Sequence, residues 1–141
     1  MTSTSPAEHL AQVPLFRNLP RKSLEGLGKI ARVREFAPGQ VLMEEGGGGV
    51  GVFHILEGEV EVSRGGKAIA TLGPGDVLGE MAVLDDSPRS ATATATAPTR
   101  CLAIVRWDFL ASLKQEPEIA VELVRALSAR LRKMDERLDE I

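Results

Sequence analysis

Apolar and polar positions alternate through the middle of this chain in short runs, each stopped by glycine or proline. Arg32-Val33-Arg34-Glu35-Phe36 alternates and ends at Pro38-Gly39, and Val41-Leu42-Met43 ends at a glycine run. Val52-Phe53-His54-Ile55-Leu56 stops at Glu57-Gly58, and Glu59-Val60-Glu61-Val62 stops at Gly65-Gly66. Ala68 to Leu72 leads into Gly73-Pro74-Gly75-Asp76, Ser90 to Ala95 is closed by Pro98, and Cys101 to Val105 is an apolar run of buried-strand type. A period of two places successive side chains on opposite faces of a strand. Many short strands of similar length between Gly/Pro turns predict a sandwich or a barrel-like jelly roll over residues 31–106.

The flanks change period. Residues 1–30 carry Leu10, Val13, Leu15, Phe16 and Leu19 as apolar anchors, broken by Pro14 and Pro20, and Ser23 is expected to cap a short helix holding Leu24, Leu27 and Ile30. Residues 107–141 predict two helices. The first opens at Trp107-Asp108-Phe109-Leu110, and Pro117 sits in the first turn of the second, where its missing N–H costs nothing. No glycine or proline follows from Glu118 onward.

Length and charge narrow the function classes. At 141 residues the chain is expected to be one domain, long enough to bury roughly 70% of its unfolded surface without a disulfide or metal staple. A formal net charge of −3 argues against a nucleic-acid backbone as the main partner. The single cysteine, Cys101, has no internal partner, so a reducing, cytoplasmic setting is expected. No apolar run approaches a membrane span of about 20 residues, and the N-terminus lacks the basic and apolar regions of a signal peptide.

The stretch that carries chemistry interrupts the strand pattern: Leu78-Gly79-Glu80-Met81-Ala82-Val83-Leu84-Asp85-Asp86-Ser87-Pro88-Arg89-Ser90-Ala91. Gly79 permits close backbone approach. Glu80 to Leu84 is long enough for one helical turn, whose N-terminal N–H groups and dipole would favour an anion. Arg89 adds a planar fork matched to two phosphate oxygens. Glu80 would repel a bare phosphate, but a sugar phosphate offers a hydroxyl for its carboxylate to accept from. Ser90, Ala91 and Ala93 are small enough to leave room for a ligand. The competing reading is a surface Glu80–Arg89 ion pair with Gly79 closing a turn.

Residues 78–91 resemble the phosphate-binding cassette of the cyclic-nucleotide-binding domain family, which runs approximately Phe-Gly-Glu-hydrophobic-Ala-Leu, a turn, then Pro-Arg-Ser/Thr/Ala-Ala. Phe36-Ala37-Pro38-Gly39-Gln40-Val41-Leu42, Glu45-Gly46, Phe53-His54-Ile55-Leu56-Glu57-Gly58-Glu59-Val60 and Val13-Pro14-Leu15-Phe16-Arg17-Asn18-Leu19 extend the resemblance over about residues 10–135. It implies a mainly β fold with flanking helices: a jelly-roll β-barrel with short N-terminal helices, an internal one-turn phosphate-binding helix and a long C-terminal helix. It also implies that Glu80 accepts from the ribose 2′-hydroxyl and that Arg89 pairs with the cyclic phosphate. Gly79, Met81 and Ala82 would line phosphate and ribose with backbone groups, between Leu78 and Ala91, and Ser90 would bond phosphate or base. The ligand implied is cAMP, or cGMP; Ser90 favours cAMP, because cGMP-selective members often have threonine there. Two departures stand out. Leu78 replaces the family's aromatic, and Gly47-Gly48-Gly49-Val50-Gly51, where the family often has acidic residues, is expected to be a mobile hairpin tip.

Ala120, Val124, Leu127, Leu131, Met134, Leu138 and Ile141 recur at alternating spacings of four and three, a heptad seam. The seam fits packing on the barrel, or a homodimer through residues 120–141 while Ile119 and Leu123 dock on the barrel. The family uses this helix as a lid over the base, which would bring Arg130 and Met134 to it. The charges between seam positions read as a solvated face.

The remaining candidates favour binding over catalysis. His9 and His54 lie in different elements without the Cys or carboxylate spacing of a metal site, so a structural role and no metal are expected. Cys101 in its apolar strand is expected to be inert. There is no Gly-Lys-Ser/Thr phosphate loop and no Gly-x-Ser-x-Gly elbow, and Asp85-Asp86 suits a turn before Ser-Pro. The expected function is a sensor that moves its last helix on binding cyclic nucleotide, not an enzyme. Related readings are the ligand-binding part of a catabolite-activator-type regulator, a kinase or a channel, or a scaffold that has lost its ligand. In DNA-binding members of the family a helix-turn-helix follows the long helix, and none is expected within the residues up to Ile141.

Overall fold

A computed structural model describes residues 5–48, 51–79, 84 and 88–139. Helix α1 (Pro6–Leu10) and helix α2 (Arg21–Ile30) precede the strands β1 (Arg32–Phe36), β2 (Val41–Met43), β3 (Gly51–Glu57), β4 (Val60–Arg64), β5 (Lys67–Leu72), β6 (Val77–Leu78), β7 (Thr92–Ala95) and β8 (Thr99–Val105). Helix α3 (Arg106–Gln115) and the long α4 (Pro117–Asp139) follow. Two four-stranded sheets form, in the orders β1-β8-β3-β6 and β2-β7-β4-β5, and every pairing is antiparallel. This is the jelly roll with flanking helices that the alternating runs predict.

The two middle strands of the first sheet explain how the halves hold together. Phe53 and Ile55 of β3, with Cys101 and Ala103 of β8, face inward and join Phe36, Val60, Val62 and Ala93 between the sheets. Their alternate neighbours Val52, Leu102 and Ile104 face outward and join Phe16, Phe109, Ile119 and Leu123 under the helices. A strand buried on both faces reads as a continuous apolar run, which is why 51–56 and 101–105 look unlike the exposed β1 and β5. Cys101 lies fully buried in the inter-sheet core, and burial pushes its thiol up to about 11, so it is not a ready nucleophile.

Local chemistry sets the ends. Ser5 caps α1, its hydroxyl accepting from the Glu8 N–H at 3.3 Å. Gly65 and Gly66, both at positive φ, make the two-residue turn between β4 and β5. Asp108 lies in the first turn of α3 and Pro117 opens α4, as expected. Ser23 is a correction: α2 begins two residues earlier, after Pro20, and Ser23 is buried inside it. Proline's fixed φ ends the preceding turns before a serine cap is needed.

The long helix divides its apolar positions. Ile119 and Leu123 are buried under α3 and the sheet, with Ala126 and Leu127 packed alongside. Val124, Leu131 and Met134 are 65%, 61% and 60% exposed, so the barrel leaves these seam positions uncovered. The side chain of Leu138, and Ile141, lie outside the described residues.

Candidate functional site

Arg89 is the centre of the site. It is only 5% exposed, although an arginine is rarely buried without a paired anion. Its Nη2 donates to the carbonyl oxygen of Gly51, at the start of β3, at 2.6 Å. Its Nε and Nη1 have no hydrogen-bond partner among the described residues. Burial pulls the guanidinium below its ordinary pKa, which still leaves a cation at neutral pH. The result is a desolvated cationic fork with one nitrogen anchored and two without a partner among the described residues, a deficit that suits an anion.

The chain holds this fork from both sides. The Arg89 N–H donates to Gly47 O at 2.9 Å, and the Gly46 N–H donates to Arg89 O at 2.8 Å. The glycine run expected to be a mobile hairpin tip therefore pairs, at Gly46 and Gly47, with the backbone of the arginine itself. Gly49 and Val50 lie outside the described residues. Next along the chain, Arg64 Nε donates to Ser90 O at 2.9 Å. Glu45 links the same parts: its N–H donates to Thr92 Oγ1 at 3.0 Å, and its carboxylate accepts from Gly65 N–H at 2.9 Å. These bonds delay the strand expected from Ser90, and β7 begins at Thr92.

Gly79 supplies the close approach. Its φ is +77°, and a Cβ there would land on Arg89 Nη1 and come within 2.8 Å of Gly51 O. Gly79→Ala is expected to destabilise the protein by at least about 1–2 kcal/mol from left-handed strain alone. That would appear as a fall of several degrees in melting temperature. An unchanged melt would mean that Gly79 does not need this geometry.

The structure brings Leu78, Gly79, Arg89 and Ala91 together at one end of the inter-sheet core, with Leu78 and Ala91 buried. Ser90 is exposed beside them. Glu80, Met81, Ala82 and the one-turn helix expected from Glu80 to Leu84 lie outside the described residues, Leu84 excepted. Leu84 is half-buried against the helical core. On α4, Arg130 is half-buried and Met134 is exposed. Sequence reading noted Glu45-Gly46 and the Gly47–Gly51 run but did not join them to Arg89, and it missed Arg64. No local spacing signals them, because each meets the cassette from a distant strand or loop.

Among the described residues no three or more His, Cys, Asp or Glu side chains gather as a metal cluster, and no helix is long and apolar enough to cross a membrane. Comparison with known proteins gives a consistent result. The family described as the cyclic nucleotide-binding domain matches residues 33–116, more than half of the chain. The cyclic AMP receptor protein of Thermus thermophilus is 34% identical over 131 residues, covering 89% of this chain and 61% of that protein. A cyclic nucleotide-gated potassium channel of Rhizobium etli is 35% identical over 111 residues, covering 79% of this chain and 31% of the channel. The chain thus spans less than two thirds of these relatives. Among solved structures, the N-terminal domain of a transcriptional regulator from Streptomyces coelicolor superposes with a TM-score of 0.83 at 31% identity, covering 92% of this chain and 93% of that one.

Proposed function

The chain belongs to the cyclic nucleotide-binding domain family, and on that premise we propose that it is a sensor module that binds cAMP in preference to cGMP and repositions α4 in response. The observation that carries the reading is Arg89: a buried guanidinium, anchored once, with two nitrogens unpartnered among the described residues. A cyclic phosphate fits that deficit. Glu80 takes the ribose 2′-hydroxyl, Gly79, Met81 and Ala82 line the phosphate and ribose through their backbone, and Ser90 adds a polar contact. The preference for cAMP rests on Ser90 and on the name of the Thermus thermophilus relative. The module binds and does not catalyse, and its place is the cytoplasm.

Signal leaves through α4. Ligand engaging Arg130 and Met134 from the base side would favour a closed position of the helix, a population shift between two arrangements of 118–141. The exposed stripe of Val124, Leu131 and Met134 supports pairing with a second copy through 120–141. Replacing Val124 and Leu131 with glutamate should then leave a monomer in sedimentation. A wild-type chain that is monomeric at all concentrations would rule the pairing out.

Calorimetric titration with cAMP and cGMP tests the main reading. One site per chain with tighter cAMP binding is expected. No heat with either nucleotide, together with an unchanged melting temperature, would sink it. Arg64 offers a finer check, since its bond to Ser90 O holds the cassette's exit without touching the anion. Arg64→Ala is expected to weaken binding by roughly 0.5–1.5 kcal/mol, about two- to twelvefold, with little change in melting temperature. Unaltered affinity would show that the Arg64 bond is not needed to place Ser90.

A further inference from the structure

His9 and His54 are far apart in sequence, but α1 brings them together. Their ring centroids lie 5.7 Å apart with the planes tilted by 49°. His54 sits on the outward face of β3 with an exposure of 2%, and neither Nδ1 nor Nε2 has a hydrogen-bond partner among the described residues. A neutral imidazole has one donor and one acceptor to satisfy, and burying both unpaired is costly. Both residues line a cleft of about 260 Å³, together with Gln12, Ile55, Leu56, Pro74 and Gly75. The site is separate from Arg89 and uses none of its residues.

We propose that His9 and His54 together bind one borderline divalent transition-metal ion, of the zinc, nickel or cobalt type, with the Gln12 amide oxygen or solvent completing its shell. Distance allows it. A metal–nitrogen bond of about 2.0–2.1 Å places an imidazole centroid roughly 3.2 Å from the ion. One ion can therefore reach both rings only when their centroids are within about 6.4 Å, and a tetrahedral angle gives about 5.2 Å. The observed 5.7 Å falls between these values.

Protonation state agrees. Burial, and then the neighbouring His9, hold His54 below the ordinary histidine range, so its ring is neutral and has a lone pair at neutral pH. An anion in the same cavity would need the imidazolium that burial disfavours. Two imidazoles without a carboxylate suit zinc, nickel or cobalt, whereas magnesium and calcium require oxygen donors. The bound ion would fasten the N-terminal helix to the barrel.

The test uses the full chain without an affinity tag. Cobalt is titrated while its visible absorption is followed, and zinc is measured by competition with a chelating dye. One saturable site per chain is expected, with zinc raising the melting temperature and magnesium or calcium leaving it unchanged. His9→Gln and His54→Gln should each weaken binding about tenfold or more. His9 is only half-buried and keeps the test decisive if His54→Gln folds poorly. Absence of saturable binding at millimolar metal would overturn the proposal, as would a site that His9→Gln leaves undiminished.

Discussion

Arg89→Ala is expected to weaken cyclic-nucleotide binding by about 2–5 kcal/mol, roughly 30- to 4,000-fold. The size follows from where the guanidinium sits. It is already stripped of water before any ligand arrives, so a phosphate that meets it exchanges little protein hydration for a charge-assisted fork. Removing it leaves the phosphate desolvated and without its counter-charge. The unliganded protein should respond quite differently. The variant loses one bond to Gly51 O but also discards a buried cation that no described anion compensates. Its melting temperature should stay close to that of the wild type while affinity collapses. Arg89→Lys should fall between the two in affinity, because a single ammonium cannot hold Gly51 O and present a planar pair of donors at once. Calorimetry and a thermal melt on the same samples read both quantities. Wild-type affinity in the alanine variant would remove Arg89 from the site.

Phe109→Ala is expected to cost about 3–5 kcal/mol of folding stability. The Phe109 ring is fully buried on α3, with its centroid 5.7 Å from that of Phe16. Ile119 and Leu123 of α4 and Leu102 and Ile104 of β8 belong to the same cluster. Truncation opens a cavity where the N-terminal segment, the barrel and α4 all meet. At this chain length the loss corresponds to a fall in melting temperature of roughly 10–20 °C. Ligand should restore part of it, because binding adds to the stability of the folded state alone. A loss below about 1 kcal/mol would show that the cluster closes over the gap and does not act as a single core.

How far the sequence revealed this protein depended on how local each determinant is. The strands β1, β2 and β8 and the helix α4 follow from period and punctuation alone: an alternating or apolar run, then Pro38-Gly39, the glycines after Met43, or Pro117. The two-residue strand β6 could not be read, since Val77-Leu78 is too short to show a period and owes its form to pairing with Phe53 and His54. Ser23 has the chemistry of a cap, but tertiary burial claimed it. Arg89 and Gly79 stood out because their motif is contiguous. Their partners were not legible as such, because Gly51 and Arg64 are placed by distant strands and Gly46 and Gly47 by a loop that folds back on Arg89. The contact of His9 with His54 has the same cause: neither residue has a local signal, and only the docking of α1 on β3 creates it.

The double burial of β3 and β8 has a consequence for how the molecule comes apart. These strands supply one face to the inter-sheet core and the other to the helical layer, so neither layer can open while the other keeps its packing. Amide hydrogens of Val52 to Ile55 and Cys101 to Ile104 should exchange with solvent only through global unfolding, and at matched rates. The solvent-exposed C-terminal half of α4 and the β5 edge should exchange far sooner. The helices and the barrel would then melt as one unit, joined by α4 as far as Leu127.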